Sequence, residues 1–480
     1  MKVLVLNPPS KYDETVSRDL IYGCWCHGNR VANIQLPPLN LLYIATILKN
    51  EGQDVSVLDA LAERKKIDEI KELGKNFDCI IVSSSNTTFG YDVYTVKQFK
   101  EINPKLIAIF CGPQSTVYPK EILNNDVIDY NVYGEYETTI KELVERLNKK
   151  EDVEKIKGIS YRKDGRVIIT PPREFIENLD DLPIPDRSFI KKEIYFNPLA
   201  KKKPITTALT SRGCIGRCIF CTSPSFYGKK YRLRSSENVL DELMYLYKEG
   251  YKDLLFRDEI FTADRKRLER ICNGMIDKKI KLKWACNARV GTLNEETMKL
   301  MKRAGCYSIW FGVESGSQTI LNNIKKDIKI ETIERDFVLT KKVGIGTHAH
   351  LMFGCLGESK ETIKQTIKFI KKIKPDTIDI GIMTPFPGTE LYELVKEKTD
   401  KIGDGTQFDI GEVHTRSFFN EYFCDLNAKE LEDAITEAYK EFYFRPSYIL
   451  KRIFKIRNFQ DFKTNFKSGL YTLSFIIKNK

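Results

Sequence analysis

The stretch Ser211-Arg-Gly-Cys-Ile-Gly-Arg-Cys-Ile-Phe-Cys221 places three cysteines, Cys214, Cys218 and Cys221, within eight residues. The next cysteine is Cys272, and the chain has no histidine between His27 and His348. A structural zinc site needs four ligands, usually in two pairs, and no partner pair is apparent. A [4Fe–4S] cluster normally takes four thiolates, so three would leave one iron free to bind another molecule. The spacing favours such a cluster over a zinc site or inert cysteines.

The composition indicates a globular protein of more than one domain. A chain of 480 residues is too long for one core, and 42% hydrophobic with 30% charged residues is typical of soluble proteins. No apolar run reaches the roughly 18 residues of a membrane span, and Pro8-Pro9 interrupts the first apolar run, which argues against a signal peptide. We therefore expect a cytoplasmic protein, in which twelve cysteines favour metal or redox chemistry over disulfides.

The positive charge is concentrated in the last forty or so residues. The net charge is +12, and Lys440–Lys480 alone has ten Lys and Arg against two Asp and Glu. This distribution argues against nucleic-acid binding by the whole protein. On a predicted helix the apolar residues would share one face with basic flanks, which fits either packing on the preceding domain or contact with an anionic membrane surface. The apolar residues are Phe442, Tyr448, Ile449, Ile453 and Phe454.

Residues 1–150 alternate between strand and helix patterns. Short runs rich in Val and Ile suit parallel strands that are buried on both faces, and five of them with crossover helices predict a doubly wound, Rossmann-like α/β sheet. Ligands bind such sheets at the carboxyl ends of the strands, where small polar loops allow a large ligand to approach. The five runs are Lys2–Leu6, Asp54–Leu58, Cys79–Ser83, Leu106–Phe110 and Asp129–Tyr133.

Three further regions follow. Residues 151–203 combine a hairpin signal at Asp164-Gly165 with a proline-rich linker. Residues 204–392 contain six βα units, which predict a partial (β/α)6 barrel with the three cysteines at the carboxyl end of its first strand, where barrel active sites lie. Residues 393–480 are predicted to be mainly helical.

The cysteine motif, with the aromatic Phe220 before its last cysteine, resembles that of the radical S-adenosylmethionine (SAM) superfamily. The resemblance implies a [4Fe–4S] cluster on Cys214, Cys218 and Cys221, with SAM bound to the open iron. It also implies that an external donor such as ferredoxin or flavodoxin supplies an electron, which cleaves SAM to a 5′-deoxyadenosyl radical.

Later segments are similar to those that line SAM in this superfamily, and they occur in the same order. The segments are Phe256–Phe261, Asn287–Arg289, Gly312–Gly316, Gly354–Glu358 and Pro385–Thr389. The chain departs from the pattern at Cys355-Leu356, where relatives more often have Leu-Pro. The residues implied to contact SAM are Phe220, Asp258, Glu259, Asn287, Arg289, Glu314, Ser315 and Gly357.

The first domain resembles the cobalamin-binding domain of cobalamin-dependent radical SAM enzymes. The resemblance rests on Asn7-Pro-Pro9, Pro37-Pro-Leu39, Leu58-Asp59, Gly112-Pro113 and Tyr133-Gly-Glu135. A nucleotide is the alternative ligand, but the chain lacks both glycine-rich phosphate-binding motifs. The residues implied to contact cobalamin are Ser84, Ser85, Asn86, Thr87, Thr88, Gly112, Pro113, Gln114, Tyr133, Gly134, Glu135 and Glu137. Among them, the resemblance implies that Ser84–Thr88 faces the cobalt and that the loops 112–114 and 134–137 line the tail of cobalamin.

The histidines give two further expectations. No Asp-x-His-x-x-Gly loop is present, so cobalamin is expected base-off with no histidine on its lower face. Cys24-Trp-Cys-His27 has no fourth ligand nearby, which favours a loop over cobalamin or substrate rather than a metal site. His348 and His350 alternate along a predicted strand, where each either contacts substrate or is hydrogen-bonded in the core.

The combined resemblance implies a methyltransferase that moves a methyl group from methylcobalamin to an unactivated carbon after hydrogen abstraction. An oxidative cyclase or rearrangement enzyme using the same cofactors is one alternative. A non-catalytic cobalamin or iron–sulfur sensor is another, although a sensor would not need the SAM-lining segments. We expect a monomer whose substrate is a small molecule, a lipid or a protein residue.

Overall fold

The computed structural model describes residues 1–11, 18, 34–403 and 419–454. Its first sheet has seven strands in the order β2-β1-β3-β4-β5-β6-β7, of which the first five are parallel and the last two antiparallel. The five parallel strands confirm the doubly wound sheet. The strands are β1 (Lys2–Asn7), β2 (Asp54–Asp59), β3 (Cys79–Ser83), β4 (Ile107–Cys111), β5 (Tyr130–Val132), β6 (Ile159–Lys163) and β7 (Arg166–Ile169).

Alternating side chains of the parallel strands fill two cores, one on each face of the sheet. Val5 shares a core with the helix Leu39–Asn50, and its neighbour Leu6 shares the opposite core with the helix Phe89–Ile102. This two-sided burial explains why the strands are continuous apolar runs. The α-helices of this region are Leu39–Asn50, Ile67–Ile70, Phe89–Ile102, Pro113–Val117 and Glu137–Lys149.

The hairpin at Asp164-Gly165 forms as predicted but belongs to the first sheet. Both turn residues have positive φ, 50° and 73°, which the short polar Asp and the Gly tolerate. The sequence prediction placed this hairpin in the connector 151–203, whereas β6 pairs antiparallel with β5. The first sheet therefore extends beyond residue 150, to Ile169.

The second sheet has six parallel strands in the order β15-β14-β13-β12-β11-β8, which confirms the partial barrel. A small antiparallel ribbon, β9 with β10, follows the first barrel strand. The strands are β8 (Ile205–Ala208), β9 (Ser211–Arg212), β10 (Arg232–Leu233), β11 (Asp253–Phe256), β12 (Lys283–Ala288), β13 (Cys306–Glu314), β14 (Gly346–Phe353) and β15 (Thr377–Ile382).

Helices pack against the outer face of this sheet and enclose the largest core. Phe256, Phe311 and Phe353 point from three strands into that core. The α-helices of this region are Ser223–Tyr227, Ser236–Lys248, Arg265–Asp277, Glu295–Arg303, Gln318–Asn323, Ile330–Val343, Lys360–Ile373 and Glu390–Lys396.

Two C-terminal helices, Ala428–Tyr443 and Pro446–Phe454, cover the edge strand β15. The hydroxyls of Tyr439 and Tyr443 accept hydrogen bonds from the backbone N–H groups of Ile380 and Ile378, both at 3.0 Å. These contacts occupy part of a strand edge that would otherwise be unpaired.

The basic C-terminal segment is partly packed on the barrel. The Tyr448 hydroxyl donates to the Asp376 carbonyl at 3.0 Å, while Ile449, Leu450 and Phe454 are exposed. At Tyr448, the described part of the segment therefore packs on the barrel. Contact of the segment with a membrane surface remains a prediction. Residues 455–480 lie outside the described part of the chain. Within the described residues, no helix is long and apolar enough to cross a bilayer.

Candidate functional site

The three cysteines of the motif lie together on the loop between β9 and the helix Ser223–Tyr227. Cys214, Cys218 and Cys221 are all half-buried. A Cβ atom added to Gly216 would lie 3.4 Å from the Cys214 Sγ and 3.8 Å from the Cys218 Sγ, so the loop folds these two thiols around this glycine. The Gly216 N–H donates to the Cys214 Sγ at 3.3 Å. This soft, half-buried donor set fits an iron–sulfur cluster.

Gly213 allows the loop to begin where it does. Its φ is +84°, and a Cβ atom would lie 2.4 Å from the carbonyl oxygen of Lys230, closer than any side chain could come. Only glycine therefore lets the cysteine loop pass the segment that leads into β10 at this point.

Two cationic side chains lie beside the cysteine loop. Lys326 donates to the Glu314 Oε1 at 2.6 Å, and Arg289 donates to the Lys326 carbonyl oxygen. Burial lowers the pKa of Lys326, but the negative charges of Glu314 and Cys218 outweigh that effect and raise it, so the ammonium stays charged. The positive charges of Lys326 and Arg289 suit a site that would hold the three cysteine thiolates and the carboxylate of SAM. The sequence prediction included Arg289 and Glu314 but missed Lys326.

Asp258 joins the second barrel strand to the start of the cysteine loop. Its Oδ1 accepts hydrogen bonds from the Thr210 N–H at 3.1 Å, from the Thr210 hydroxyl at 2.7 Å and from the Ser211 hydroxyl. Its Oδ2 is buried and has no hydrogen-bond partner among the described residues. One oxygen thus holds the loop, and the other is left for a ligand, which fits the predicted SAM site.

The remaining residues predicted to contact SAM surround the same loop. The Ser223 hydroxyl donates to the Glu259 Oε1 at 2.8 Å, and Asn287 donates to the Asp258 carbonyl at 3.0 Å. Phe220 packs on the barrel core. These contacts bring the ends of two barrel strands, β11 and β12, to the cysteine loop.

Ser315 and Gly357 have structural contacts of their own. The hydroxyl of Ser315 lies 3.1 Å from that of Thr366, and the Gly357 N–H donates to the Phe423 carbonyl at 2.7 Å. A Cβ atom on Gly357 would lie 2.7 Å from the Asn323 Nδ2. Their predicted contact with SAM stays a prediction.

In the first domain, the loop Ser84–Thr88 at the end of β3 is buried and held by Asp92. The Asp92 carboxylate accepts from the hydroxyls of Ser84 and Thr88, at 2.7 and 2.6 Å, and from the Arg18 guanidinium at 2.7 Å. Asp92 and Arg18 were not predicted. Asp92 follows the loop by only four residues, but its sequence context gives no sign that it faces back into the loop.

The neighbouring loop at Gly112 leaves buried polar groups unpaired. Gly112 has φ +102°, and a Cβ atom would lie 2.8 Å from the Ser84 carbonyl oxygen. Gln114 Nε2, Ser115 Oγ and Asn131 Oδ1 are buried without a hydrogen-bond partner in the described part of the chain. Such groups suit a polar ligand inserted at this end of the sheet, so the residues fit the predicted cobalamin tail.

Glu135 and Glu137, predicted to line the cobalamin tail, are engaged by arginines of the second domain. Arg212 donates to Glu135 at 3.0 Å and also to Glu137, and Arg232 donates to both oxygens of Glu135 at 2.8 Å. All four side chains are almost fully buried. We call these four residues the interdomain ion-pair cluster; it ties the cobalamin-domain loop to the β9 strand that leads into Cys214.

The other two residues of that loop are also held by protein contacts. The Tyr133 hydroxyl donates to the Thr170 carbonyl, and the Gly134 N–H donates to the Thr116 hydroxyl at 3.1 Å. A cavity lies between the two domains next to this loop, and its lining includes Ser83, Gly112, Glu137 and Arg212. Cys24, Cys26 and His27 lie outside the described residues.

The fold, together with the loops of the first domain and the cysteine loop of the barrel, defines a class of protein. Such a protein has a cofactor domain of the B12-binding type ahead of a partial barrel that carries a three-cysteine loop. Family comparisons agree. The chain matches the radical SAM superfamily over residues 209–370 and the B12 binding domain over residues 29–144.

Individual proteins give the same result. A protein of Pyrococcus horikoshii described as an uncharacterized methyltransferase is 33% identical over 465 residues, 96% of each chain. An anaerobic magnesium-protoporphyrin IX monomethyl ester cyclase of Rubrivivax gelatinosus is 30% identical over 380 residues, 76% of this chain and 67% of that protein. The structure of the methyltransferase TsrM from Kitasatospora setae with cobalamin and a [4Fe–4S] cluster superimposes with a TM-score of 0.70 at 17% identity, covering 100% of this chain and 99% of the other. This chain therefore belongs to the cobalamin-binding branch of the radical SAM family.

Proposed function

We propose that this protein is a cobalamin-dependent radical SAM methyltransferase that methylates an unactivated carbon. The observation that carries the proposal is the interdomain ion-pair cluster. Arg212 lies two residues before Cys214 and bonds directly to the loop after β5 of the first domain. The loop predicted to line cobalamin is thus joined directly to the segment that carries the cysteines, which supports a reaction that uses both cofactors.

When bound, the cluster with SAM supplies a hydrogen-abstracting radical, and cobalamin supplies a methyl group. The protein's own part is to hold and position. The three thiols would bind iron, Lys326 and Arg289 would offset negative charge, and Asp258 would fix the loop from the second barrel strand.

An oxidative cyclase is the second candidate, because the Rubrivivax relative, which is named as a cyclase, is 30% identical over 76% of this chain. The domains and the cysteine loop serve both reactions equally. The two outcomes differ in mass, since methylation adds a methylene unit to the product and oxidative cyclisation removes hydrogen.

The function is tested by comparing metabolites, lipids and digested proteins of a strain with and without the gene by mass spectrometry. We expect at least one species to lose a methylene increment in the deletion strain and to regain it when the gene is restored. Feeding methionine with a deuterated methyl group should shift that increment by the mass of the label. A species that loses hydrogens rather than a methylene unit would replace methyl transfer with cyclisation.

We further propose that cobalamin binds base-off, with no protein histidine on its lower face. The residues nearest the expected cobalt position, Ser84–Thr88, offer only hydroxyl and amide groups, and the histidines in the described ranges, His348 and His350, lie on a barrel strand. A weak or absent lower ligand suits transfer of a methyl radical, because cobalt is left with fewer ligands afterwards.

Electron paramagnetic resonance of the protein-bound cob(II)alamin form measures this directly. We expect no nitrogen superhyperfine splitting from a protein histidine, and we expect the spectrum of the His27→Ala variant to match that of the unaltered protein. Splitting that disappears in His27→Ala would instead identify His27 as a cobalt ligand.

An external one-electron donor such as ferredoxin or flavodoxin, a monomeric state and a cytoplasmic location stay predictions. The same holds for membrane-surface contact by the C-terminal segment.

A further inference from the structure

Two histidines and a carboxylate meet on neighbouring barrel strands, apart from the cysteine loop. His348 and His350 lie on β14, and Asp379 lies beside them on β15. The Nδ1 of His350 is 2.9 and 3.0 Å from the two Asp379 oxygens, and the Nε2 of His348 is 3.4 Å from the Asp379 Oδ1. One ligand atom from each of the three residues can be chosen so that all lie within 4.8 Å of one another. We call these three residues the two-histidine cluster.

The spacing fits a bound cation. Imidazole nitrogens and carboxylate oxygens bind zinc and similar ions at about 2.0–2.2 Å, so two ligands of one tetrahedral ion lie roughly 3.3–3.5 Å apart. The separation between the His348 Nε2 and the Asp379 Oδ1 has that value, whereas the shorter contacts between His350 and Asp379 are hydrogen-bond distances that a bound cation would replace. Imidazole and carboxylate together suit first-row divalent cations such as zinc or ferrous iron.

The orientation of His348 adds a second, independent observation. Its Nδ1 is 2.7 Å from the Thr377 hydroxyl, which leaves the Nε2 pointing to the cluster. Histidines that bind metal almost always use their other ring nitrogen for such a contact, because it fixes the ring and its tautomer.

One side of the two-histidine cluster is accessible to solvent. Half of the Asp379 side chain, 52%, is accessible, whereas His348 is almost fully buried. Trp310 on β13 pairs in register with His348, and its ring lies 5.4 Å from the imidazole. His350 pairs in register with Gly312 on β13, two residues before Glu314, which places the cluster near the predicted SAM site.

From this geometry we infer that His348, His350 and Asp379 bind a first-row divalent cation, with a coordination position open toward the accessible side of Asp379. An oxygen atom of the substrate is the ligand class that this position would take. The cation would act by holding that oxygen, with no change of oxidation state. Cation binding itself does not depend on methyl transfer, so it can be tested even if the proposed function is wrong.

Zinc binding to the full-length protein tests the inference. The protein is first reconstituted with iron and sulfide so that the cysteine loop is occupied, then dialysed against micromolar Zn²⁺, and its zinc and iron are quantified by elemental mass spectrometry. We expect one tightly bound zinc per chain, lost in His348→Gln and Asp379→Asn with iron content unchanged. Thr377→Val, which keeps all three ligands, should weaken zinc binding by about 10- to 100-fold.

X-ray absorption at the zinc edge separates this site from cysteine sites. We expect only nitrogen and oxygen neighbours in the unaltered protein. A matched control variant, Cys24→Ala with Cys26→Ala and His27→Ala, should bind zinc normally. Sulfur neighbours, or zinc that persists in Asp379→Asn, would overturn the inference, and so would loss of zinc in the control. If the ligand variants lose iron, Thr377→Val decides, since unchanged zinc affinity in that variant would also overturn it.

Discussion

Replacing Cys214, Cys218 and Cys221 together with alanine should abolish the formation of 5′-deoxyadenosine from SAM. Each thiol supplies one of the three protein ligands to the proposed cluster, and the loop that carries them offers no other thiol. Cobalamin binding should survive, because the first sheet has its own cores on both faces. The measurement is 5′-deoxyadenosine by liquid chromatography after reduction, with bound cobalamin determined from its absorbance.

Cys272→Ala is the matched control for this triple variant. Cys272 is fully buried in the helix Arg265–Asp277 and packs in the barrel core, away from the cysteine loop. We expect this variant to keep both 5′-deoxyadenosine formation and cobalamin. The cluster assignment would be wrong if the triple variant still formed 5′-deoxyadenosine. Loss of cobalamin as well would show that the two domains do not fold independently.

The sequence was sufficient for the parts of the fold that local patterns determine. Parallel strands such as β3 are uninterrupted apolar runs because both faces are covered, so they can be recognised without their partners. The cysteine loop was recognisable for a similar reason, since all three thiols come from one short segment. Asp164-Gly165 likewise predicted its turn, although not the sheet that the hairpin joins, because pairing with β5 depends on a strand some thirty residues earlier.

Side-chain partners far apart in the sequence were not predictable. Glu135 follows a strand at the ligand-binding end of the sheet, and position alone cannot distinguish a cofactor contact from an ion pair. Its arginine partners lie 77 and 97 residues away. Lys326 was missed for the same reason, because it follows a short helix and no motif connects it with Glu314 or the cysteine loop. The sequence therefore indicated where the site lies but not how its charges are balanced.

Arg212→Met should destabilise the protein more than any other single substitution in the interdomain ion-pair cluster. Arg232 can still neutralise Glu135, but Glu137 would lose the guanidinium that contacts it and remain as a buried, unpaired carboxylate. Removing one partner of a buried ion pair typically costs about 3–5 kcal/mol of unfolding free energy, most of it the penalty of the abandoned charge. Replacing Glu137 with Gln in the same variant should restore part of that loss, because the abandoned charge is removed as well.

Arg217→Met is the matched control, since Arg217 lies on the same loop and pairs with Asp327 at 3.3 Å, but is largely exposed. Exposed ion pairs contribute little, so we expect a small change in the urea midpoint for this variant and a large one for Arg212→Met. Equal midpoints would show that the cluster does not stabilise the domain interface.

The dependence of the free energy of unfolding on pH, in the acid range, gives an independent measure of the interdomain ion-pair cluster. Burial raises the pKa of Glu135, but Arg232 and Arg212 outweigh it and hold the pKa below its usual range. A carboxyl whose pKa is lower in the folded state stabilises the protein above its unfolded pKa, and that contribution is lost as the pH falls through the folded value. Arg212→Met removes one of the two guanidinium groups that lower the pKa. The variant should therefore lose its remaining Glu135 contribution at a higher pH than the unaltered protein, which urea titrations between pH 7 and acid would resolve. An identical acid profile in both proteins would mean that Arg212 does not act on Glu135, and the contact of Arg212 with the cobalamin domain would then rest on Glu137 alone.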